Sequence, residues 1–223
     1  MLAPMPALVR TFEEAGQHLV LRDLGTHYEL LLGQVPILSS ATLATERAFG
    51  ELLQSLEPGL PVRRVLVGGL GFGATLRGAL DSLGPDAEVV VVEKLTTVVA
   101  LLRGELAHLA PGALDDRRVR LVQGDVAEVM ARERGLDAIL LDVDNGPGWA
   151  SFRTNARLYT PAGLASARAA LRPGGAIAVW SGYAADAFVG HLRRAGFTPR
   201  VVPLHERGVV RARAYVGTRG GVT

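Results

Sequence analysis

Short unbroken runs of valine, isoleucine and leucine recur from about residue 62 onward, and they constrain the fold more than any other feature of the sequence. The runs do not alternate apolar and polar residues, which is typical of strands buried on both faces of a parallel sheet. Segments of helical length separate them, so strands and helices alternate along the chain. This order predicts a doubly wound α/β fold with right-handed crossovers and helices on both faces of the sheet. The runs are 62–69, 87–93, 119–125, 136–142 and 174–181.

The two ends of the chain depart from this alternation. Residues 197–203 and 209–217 indicate two strands joined by the turn HERG, with no room for a helix between them. We therefore expect an antiparallel C-terminal hairpin to complete a mostly parallel, seven-stranded sheet. Residues 17–38 indicate a short N-terminal β-hairpin, and a helical apolar spacing from Phe49 to Leu56 follows it. Residues 1–57 are expected to form an N-terminal extension, and residues 58–223 the domain that contains the large sheet.

The composition excludes several classes of function. The chain has no cysteine, and therefore no disulfide, thiolate metal site or cysteine nucleophile. Histidines outside the C-terminal hairpin lack ligand spacing, so no metal is predicted. The formal charge of +2 and the scattered arginines argue against a nucleic-acid partner. The first residues do not resemble a signal peptide and no apolar run is long enough to span a membrane, so we expect a cytoplasmic protein. The outer edge of the N-terminal hairpin is a candidate homodimer surface.

A glycine-rich turn follows the first strand of the predicted sheet and opens its first helix. Gly69-x-Gly71-x-Gly73 lies where the first crossover begins, and glycine there permits a tight turn and a close approach of the backbone to a ligand. A purely structural turn is the alternative. Ala74 stands where a dinucleotide-binding fingerprint has its last glycine. Because alanine is tolerated there, the turn alone does not exclude a nicotinamide cofactor.

Acidic residues end the next two strands. Glu93 ends the second strand, where a carboxylate can accept hydrogen bonds from ribose hydroxyls. Asp125, followed by Val126, ends the third strand. Open α/β sheets bind their ligands beyond the carboxyl ends of the strands, so both acids are candidate ligand-binding residues. The alternatives are a solvated strand-end glutamate and an N-cap aspartate for the helix that begins at Val126.

The fourth strand runs into the segment LLDVDNGP. Asp142 ends the strand and Asp144 follows it, and two carboxylates here could orient an amine-bearing ligand or supply a general base. An Asx-rich turn would require the same residue types. His205 follows the sixth strand and is a further catalytic candidate, provided that this strand is parallel to the earlier ones. Trp180 could line a pocket or simply pack in the core.

These motifs stand in an order that resembles a known superfamily. The series GLGFGATLR, VVVVEK, QGD, LLDVDNGP and LRPGGAIAVWS is similar to the class I S-adenosylmethionine-dependent methyltransferases. The segment YELLLGQVPILSS resembles the hairpin that precedes the first helix in the spermidine synthase-like branch of that superfamily. The resemblance covers roughly residues 20–217 and implies a Rossmann-like methyltransferase sheet.

The resemblance also implies roles for the candidate residues. The turn glycines would pass beneath the methionine part and the ribose of S-adenosylmethionine, or of its decarboxylated form. Glu93 would hold the ribose hydroxyls, and Asp125 would face the adenine amino group with Val126 beside the ring. Asp142 matches the acid that helps to deprotonate or orient the attacking amine in aminopropyltransferases.

The departures from the spermidine synthase pattern bear on the reaction. Those enzymes carry GGGDGG, whose aspartate faces the amino end of decarboxylated S-adenosylmethionine, and alignment on Thr75-Leu76-Arg77 puts Phe72 at that position. A phenylalanine cannot pair with that amine, nor would it repel the carboxylate of S-adenosylmethionine itself. The tyrosine and glutamine expected for the diamine are also not evident in ATLATERAFGELL.

Four functions follow from these features. The favoured one is methyl transfer from S-adenosylmethionine to a small nitrogen or oxygen nucleophile, an amine being one candidate, with catalysis by proximity and orientation. The second is aminopropyl transfer to a polyamine from the decarboxylated cofactor. The third is a non-catalytic cofactor-binding module. The fourth, a nicotinamide-dependent dehydrogenase, is disfavoured because the closing hairpin and the QGD element fit methyltransferases better.

Overall fold

Two β-sheets, one antiparallel and one mostly parallel, organise the chain. The structure is a computed structural model that describes residues 8–14, 16–56, 61–143, 146–147 and 153–221. The N-terminal sheet comprises, in spatial order, β1 (Leu8–Glu14), β2 (Gln17–Asp23), β3 (Tyr28–Leu32) and β4 (Val35–Ser39). The large sheet comprises β5 (Arg64–Gly68), β6 (Glu88–Glu93), β7 (Val119–Gln123), β8 (Leu136–Leu141), β9 (Leu171–Ser181), β10 (Phe197–Glu206) and β11 (Val209–Arg219).

The large sheet has the strand order β10-β11-β9-β8-β5-β6-β7. Strands β5 to β9 pair in parallel, and β11 pairs antiparallel with both β9 and β10. From β5 the chain continues outward to β6 and β7, and it then crosses to the other side of β5 to form β8. The switch point of the sheet therefore lies between β5 and β8. Such a switch point opens a crevice at the carboxyl ends of the strands. The seven-stranded, mostly parallel sheet and its C-terminal hairpin confirm the predicted fold class.

Seven α-helices in the described ranges flank the sheets. They are α1 (Ala44–Glu51), α2 (Leu53–Leu56), α3 (Ala74–Ser82), α4 (Thr96–Arg103), α5 (Val126–Arg132), α6 (Pro161–Ala170) and α7 (Asp186–Arg194). Short 3₁₀ helices span Ala107–Leu109 and Arg153–Tyr159. Helix α4 ends at Arg103 because the backbone of Gly104 leaves the helical region. None of the helices in these ranges is long and apolar enough to cross a membrane.

The central strands are almost wholly apolar because the sheet has a core on each face. The run 119–125 was expected to be buried in the same way, but β7 lies at the edge of the sheet and is only partly buried. In β6, Val89 and Val91 pack into one buried cluster, and Val90 and Val92 into the other. Successive side chains of a strand point to opposite faces, so a strand covered on both sides needs an apolar residue at every position. This is the physical reason that the runs lack a period-2 alternation.

The N-terminal sheet is larger than the predicted hairpin. Its turns contain Gly25 (φ +76°) and Gly33 (φ +61°), which adopt a left-handed conformation that favours glycine. Residues 17–38, however, contain three strands, and β1 adds a fourth in front of them. The sequence of β1, LVRTFEE, is mostly polar and exposed, and its strand conformation comes from pairing with β2. The domain boundary at residues 57 and 58 stays a prediction, and Glu57 lies outside the described ranges.

One carboxylate ties the N-terminal sheet to the large domain. Glu14, at the end of β1, accepts hydrogen bonds from the Thr96 hydroxyl at 2.7 Å and from the Thr97 backbone N–H at 3.0 Å. Leu95, the residue that precedes α4, supplies no side-chain cap. Glu14 therefore caps α4 from another sheet, where the first backbone N–H groups of a helix lack partners. Further along β1, Arg10 forms an ion pair with Glu105 at 2.7 Å.

Helices α1 and α3 approach each other backbone to backbone. A Cβ atom on Gly50 would lie 2.2 Å from the carbonyl oxygen of Thr75, and one on Gly78 would lie 2.1 Å from that of Arg47. Both distances are below any real contact, so only glycine permits this crossing. The crossing brings the first turn of α1 to the first turn of α3, beside the crevice of the large sheet.

Candidate functional site

A cavity of about 700 Å³ lies at the carboxyl ends of the central strands, where it extends from β4 and α1 to the tip of the β10–β11 hairpin. Its volume is typical of a site for a small molecule or cofactor. Most of the residues predicted to bind a cofactor line it. These are Gly69, Gly71, Glu93, Asp125, Val126 and Asp142.

Glycine is required in this turn for two reasons: the backbone conformation and the close approach of neighbouring atoms. Gly69 (φ +89°), Gly71 (φ +50°) and Gly73 (φ +83°) are all left-handed. A Cβ on Gly69 would lie 2.1 Å from the Asp142 carbonyl oxygen, and one on Gly73 would lie 2.5 Å from the Cβ of Ala110. Close packing within the protein therefore explains why positions 69 and 73 must be glycine. Gly73 does not line the cavity. Gly71 faces the cavity, where a Cβ would meet only the end of the Leu38 side chain, at 3.4 Å.

Glu93 is a buried carboxylate that the backbone holds in place. Its side chain is 8% exposed, which excludes the alternative of a solvated strand-end glutamate. The backbone N–H of Leu95 donates to Oε1 at 2.8 Å, and that of Leu70 donates to Oε2 at 2.9 Å. Burial raises the pKa of the Glu93 carboxyl, although these N–H groups act in the opposite direction. Each oxygen keeps a lone pair that could accept a further hydrogen bond from a ligand in the cavity.

Asp125 combines the two roles that the sequence left open. Its Oδ1 accepts a hydrogen bond from the backbone N–H of Ala127 at 2.9 Å, so it is the N-cap of α5. The same side chain lines the cavity and forms an ion pair with Arg157 at 2.6 Å. Burial alone would raise the pKa of Asp125, but the hydrogen bonds from Arg157 and Ala127 outweigh it and lower the pKa. Val126 is 5% exposed, and its side chain packs against Gly68, where a Cβ atom would lie only 2.6 Å from Val126 Cγ2.

Asp142 lies directly after β8, at the switch point of the sheet. The hydroxyl of Thr75, in the first turn of α3, donates a hydrogen bond to Asp142 Oδ2 at 2.5 Å. Burial and then the nearby charge of Glu46 raise the pKa of Asp142 to about 7, against the opposing effect of the Thr75 hydrogen bond. A carboxyl group with this pKa can both give and take a proton near neutral pH.

Glu46 is a site residue that the sequence analysis missed. It lies in the first turn of α1, lines the cavity, and accepts a hydrogen bond from the Thr45 hydroxyl at 2.7 Å. Burial raises its pKa; the Thr45 hydrogen bond lowers it, and the charge of Glu206 raises it further. Glu206 ends β10 and also lines the cavity. Three carboxylates, those of Asp142, Glu46 and Glu206, therefore share one cavity.

The other catalytic candidates are not brought into the cavity. His205 is exposed and is not among the lining residues, although β10 is parallel to β9 as its candidacy required. Side chains alternate along a strand, and it is the neighbouring Glu206 that faces the cavity. A catalytic role for His205 stays a prediction that this geometry does not support. Asp144 lies outside the described residues.

One buried donor in the cavity wall lacks a partner. The indole N–H of Trp180 has no hydrogen-bond acceptor in the described part of the chain, although its nitrogen is shielded from solvent. Trp180 lines the cavity near the end of β9. Buried polar groups are rarely unpaired, so an acceptor on a bound molecule is the expected partner. No group of three or more His, Asp or Glu side chains in the described ranges is placed to hold a metal ion.

The chain is similar to two kinds of enzyme. It is 32% identical over 136 residues to the polyamine aminopropyltransferase of Synechococcus sp. (strain JA-2-3B'a(2-13)), a match that covers 59% of this chain and 41% of that protein. It is 38% identical over 79 residues to ribosomal RNA small subunit methyltransferase G of Clavibacter michiganensis, with 35% of each chain covered. The chain thus matches about two fifths or less of the length of these curated relatives. No protein-family model matches it.

A solved structure shows where the fold belongs. The spermidine synthase of Thermotoga maritima superposes with a TM-score of 0.73 at 17% identity, over 95% of this chain and 72% of that one. At this identity the likeness concerns the fold alone. The resemblance predicted from the sequence motifs is confirmed: the chain has the class I S-adenosylmethionine-dependent methyltransferase-like fold, with spermidine synthases as its structural neighbours.

Proposed function

We propose that the chain is an S-adenosylmethionine-dependent transferase that methylates a small amine. The observation that carries the choice of cofactor is the position of Phe72, which lines the cavity beside the glycine turn and is 4% exposed. An aspartate there would attract the amino end of decarboxylated S-adenosylmethionine and repel the carboxylate of the parent compound. Phenylalanine does neither, so the carboxylated form is admitted.

The residues present fit a nucleoside sulfonium. Glu93 offers a fixed carboxylate for ribose hydroxyls, and Gly71 leaves the turn open at the cavity. Val126 offers an apolar wall and Asp125 an acceptor for an adenine amino group. The indole N–H of Trp180, which has no acceptor in the described part of the chain, is available to an acceptor on a bound molecule. When bound, S-adenosylmethionine would supply an electrophilic methyl group on a positively charged sulfur.

Asp142 is the proposed general base. Its carboxylate would accept the proton that the amine loses as the nitrogen bonds to the methyl carbon and the carbon–sulfur bond breaks, with the bonding electrons left on sulfur. Thr75 fixes the carboxylate, and a pKa of about 7 suits proton transfer near neutral pH. Glu46 and Glu206 add negative charge to the same cavity, which favours a cationic acceptor over a neutral one.

Aminopropyl transfer is the second candidate. It is favoured by the similarity to a polyamine aminopropyltransferase and to the fold of a spermidine synthase. The carboxylates of Asp142, Glu46 and Glu206 would also suit a polyamine. It requires Phe72 to accommodate a cationic aminopropyl end without a carboxylate partner, and this is the reason that we place it second.

A product assay separates the two candidates. Purified protein would be incubated with a panel of amines and either S-adenosylmethionine or its decarboxylated form, and the products identified by mass spectrometry. We expect methylated amine from the first cofactor and no aminopropylated amine from the second, with Asp142→Asn strongly reducing turnover. Aminopropylated product alone would establish the second candidate. Absence of product with both forms, from a protein that still binds S-adenosylmethionine, would favour a non-catalytic cofactor-binding module.

A further inference from the structure

The proposed acceptor site contains positive charge as well as negative charge. We propose that the acceptor is an amine that also carries an acidic group, a carboxylate or a phosphate, with the amine held by Asp142 and Glu46 and the acidic group by Arg207 and Arg211. The inference rests on the proposed function, since it names the class of molecule that the same cavity accepts.

The tip of the C-terminal hairpin brings both arginines to the cavity. Strand β10 is parallel to β9, so the turn that follows β10 lies at the edge of the sheet where the catalytic candidates are. Glu206, Arg207, Val209 and Arg211 all line the cavity. The tip is therefore part of the cavity wall and not a distant loop.

A β-bulge places Arg211. Leu204 pairs with Ala212, whereas the next residue, His205, pairs with Val210, so Arg211 is the extra residue on its strand. A bulge interrupts the alternation of side chains and re-aims the one that it carries. Arg207 has φ +49°, a left-handed conformation that residues other than glycine rarely adopt, and it is the only such residue in the described ranges. Gly208 also has a positive φ (+79°), as a two-residue β-hairpin turn requires, so the turn places Arg207 and the bulge places Arg211.

Among the residues that the structure describes, the guanidinium groups of Arg207 and Arg211 form no ion pair and donate no hydrogen bond, although Glu206 is adjacent in sequence. Some other arginines have carboxylate partners: Arg118 pairs with Asp116 at 2.7 Å and Arg77 with Asp81 at 2.5 Å. Arg207 and Arg211 are exposed at the rim of the cavity, where a ligand can reach them. A guanidinium presents donors in a fork that matches the oxygens of a carboxylate or phosphate. The unpaired indole N–H of Trp180 adds a buried donor to the same wall.

The charges discriminate between kinds of acceptor. A diamine would place its second ammonium group in a cavity that is also lined by two arginines whose guanidinium groups have no partner among the described residues. A simple alkylamine would leave those groups unused. An amine with an acidic group satisfies both signs of charge, so it is the acceptor that the whole cavity matches.

The test uses acceptors matched in length. With saturating S-adenosylmethionine, kcat/KM would be measured for ω-amino acids of three to six carbons, aminoalkyl phosphates, α,ω-diamines and n-alkylamines of the same lengths. We expect an acidic series to exceed the diamines by about tenfold or more, and the better acidic series identifies the group as carboxylate or phosphate. Arg207→Gln and Arg211→Gln should each reduce that preference while the affinity for S-adenosylmethionine is unchanged. Arg193→Gln, an exposed arginine of α7 outside the cavity, is the matched control and should change nothing.

Three results would overturn the inference. These are equal or faster transfer to diamines, a preference that survives in both arginine variants, and transfer to none of the acidic amines by a protein that binds S-adenosylmethionine and methylates another acceptor. In all three the proposed function stands. A protein that binds neither form of the cofactor would defeat the proposed function, and this inference with it.

Discussion

The hydroxyl of Thr75 donates a 2.5 Å hydrogen bond to Oδ2 of Asp142, and this bond joins the first turn of α3 to the end of β8. Thr75 is 2% exposed, so the bond is shielded from water. It fixes the carboxylate that we propose as the general base, and it stabilises the charged form of that carboxylate against the effect of burial.

Replacement of Thr75 by valine should therefore shift the pH dependence of transfer. The hydrogen bond lowers the pKa of Asp142, so its loss should raise that pKa above about 7 and move the acid limb of the kcat profile to higher pH. The pH–rate profile is the measurement. Thr75→Ser keeps the hydroxyl and should leave the profile close to that of the natural protein, and an unchanged limb in Thr75→Val would contradict the role of the bond.

Replacement of Glu46 by glutamine should shift the same limb in the opposite direction. The charge of Glu46 raises the pKa of Asp142, so its removal should lower that pKa and extend activity to lower pH. Glutamine can still accept the hydrogen bond from Thr45. Glu51→Gln, on the exposed side of the same helix, is the control. Opposite shifts in the Thr75 and Glu46 variants would be hard to obtain from a general structural disturbance.

Asp142 should make the folded protein less stable as the pH rises. Its pKa is raised from 3.8 in the unfolded chain to about 7 in the folded protein, so the folded state binds more protons between these values. The free energy of unfolding should fall through this window and level off above about pH 7. In Asp142→Asn this fall in the free energy of unfolding is absent, because asparagine does not ionise. The variant should therefore be more stable than the natural protein at pH 8, by about 1 to 4 kcal/mol.

Chemical denaturation of both proteins at pH 4 and pH 8 measures this difference. The two curves should nearly coincide at pH 4, where the carboxyl group of Asp142 is protonated in the folded state. A variant that is less stable than the natural protein at pH 8 would show that the charged carboxylate is stabilised by contacts that the structure does not contain.

Glu14 should stabilise the protein at neutral pH through its contacts with α4. Hydrogen bonds from Thr96 and Thr97 lower the pKa of Glu14 below its ordinary 4.5, although its partial burial acts against them. The stabilisation is therefore present above about pH 4.5 and is lost as the pH falls through the lowered pKa. Glu14→Gln should reduce the free energy of unfolding at pH 7 by about 1 kcal/mol, as for the loss of a helix cap. Glu13→Gln, whose exposed carboxylate does not reach α4, is the control for thermal or denaturant unfolding.

Local sequence patterns were sufficient to predict the large sheet and the acidic residues at the ends of its strands. The run VVVVE predicted a strand buried on both faces, and β6 is one. The position of Glu93 at its end predicted a carboxylate in the crevice, because the carboxyl ends of parallel strands share one edge of the sheet. Asp125 and Asp142 follow from the same rule, which depends only on strand order.

The remaining site residues depend on contacts between distant parts of the chain. Glu46 reaches the cavity because Gly50 and Gly78 let α1 cross α3 closely, and nothing in the α1 sequence alone specifies that crossing. Arg211 reaches it through a bulge that shifts the register of the hairpin. The sequence pointed to His205 but not to its neighbour Glu206, which lines the cavity, because a difference of one residue along a strand reverses the face to which a side chain points.

The binding of the two cofactor forms tests the central claim most directly. Titration calorimetry of the purified protein with S-adenosylmethionine and with its decarboxylated form should show tighter binding of the carboxylated form. The amino group of S-adenosylmethionine is balanced by its own carboxylate, whereas that of the decarboxylated form is not, and Phe72 offers no carboxylate in its place. Glu93→Gln should weaken the binding of both forms, because both carry the same ribose. Tighter binding of the decarboxylated form by the natural protein would contradict the account and identify the chain as an aminopropyltransferase.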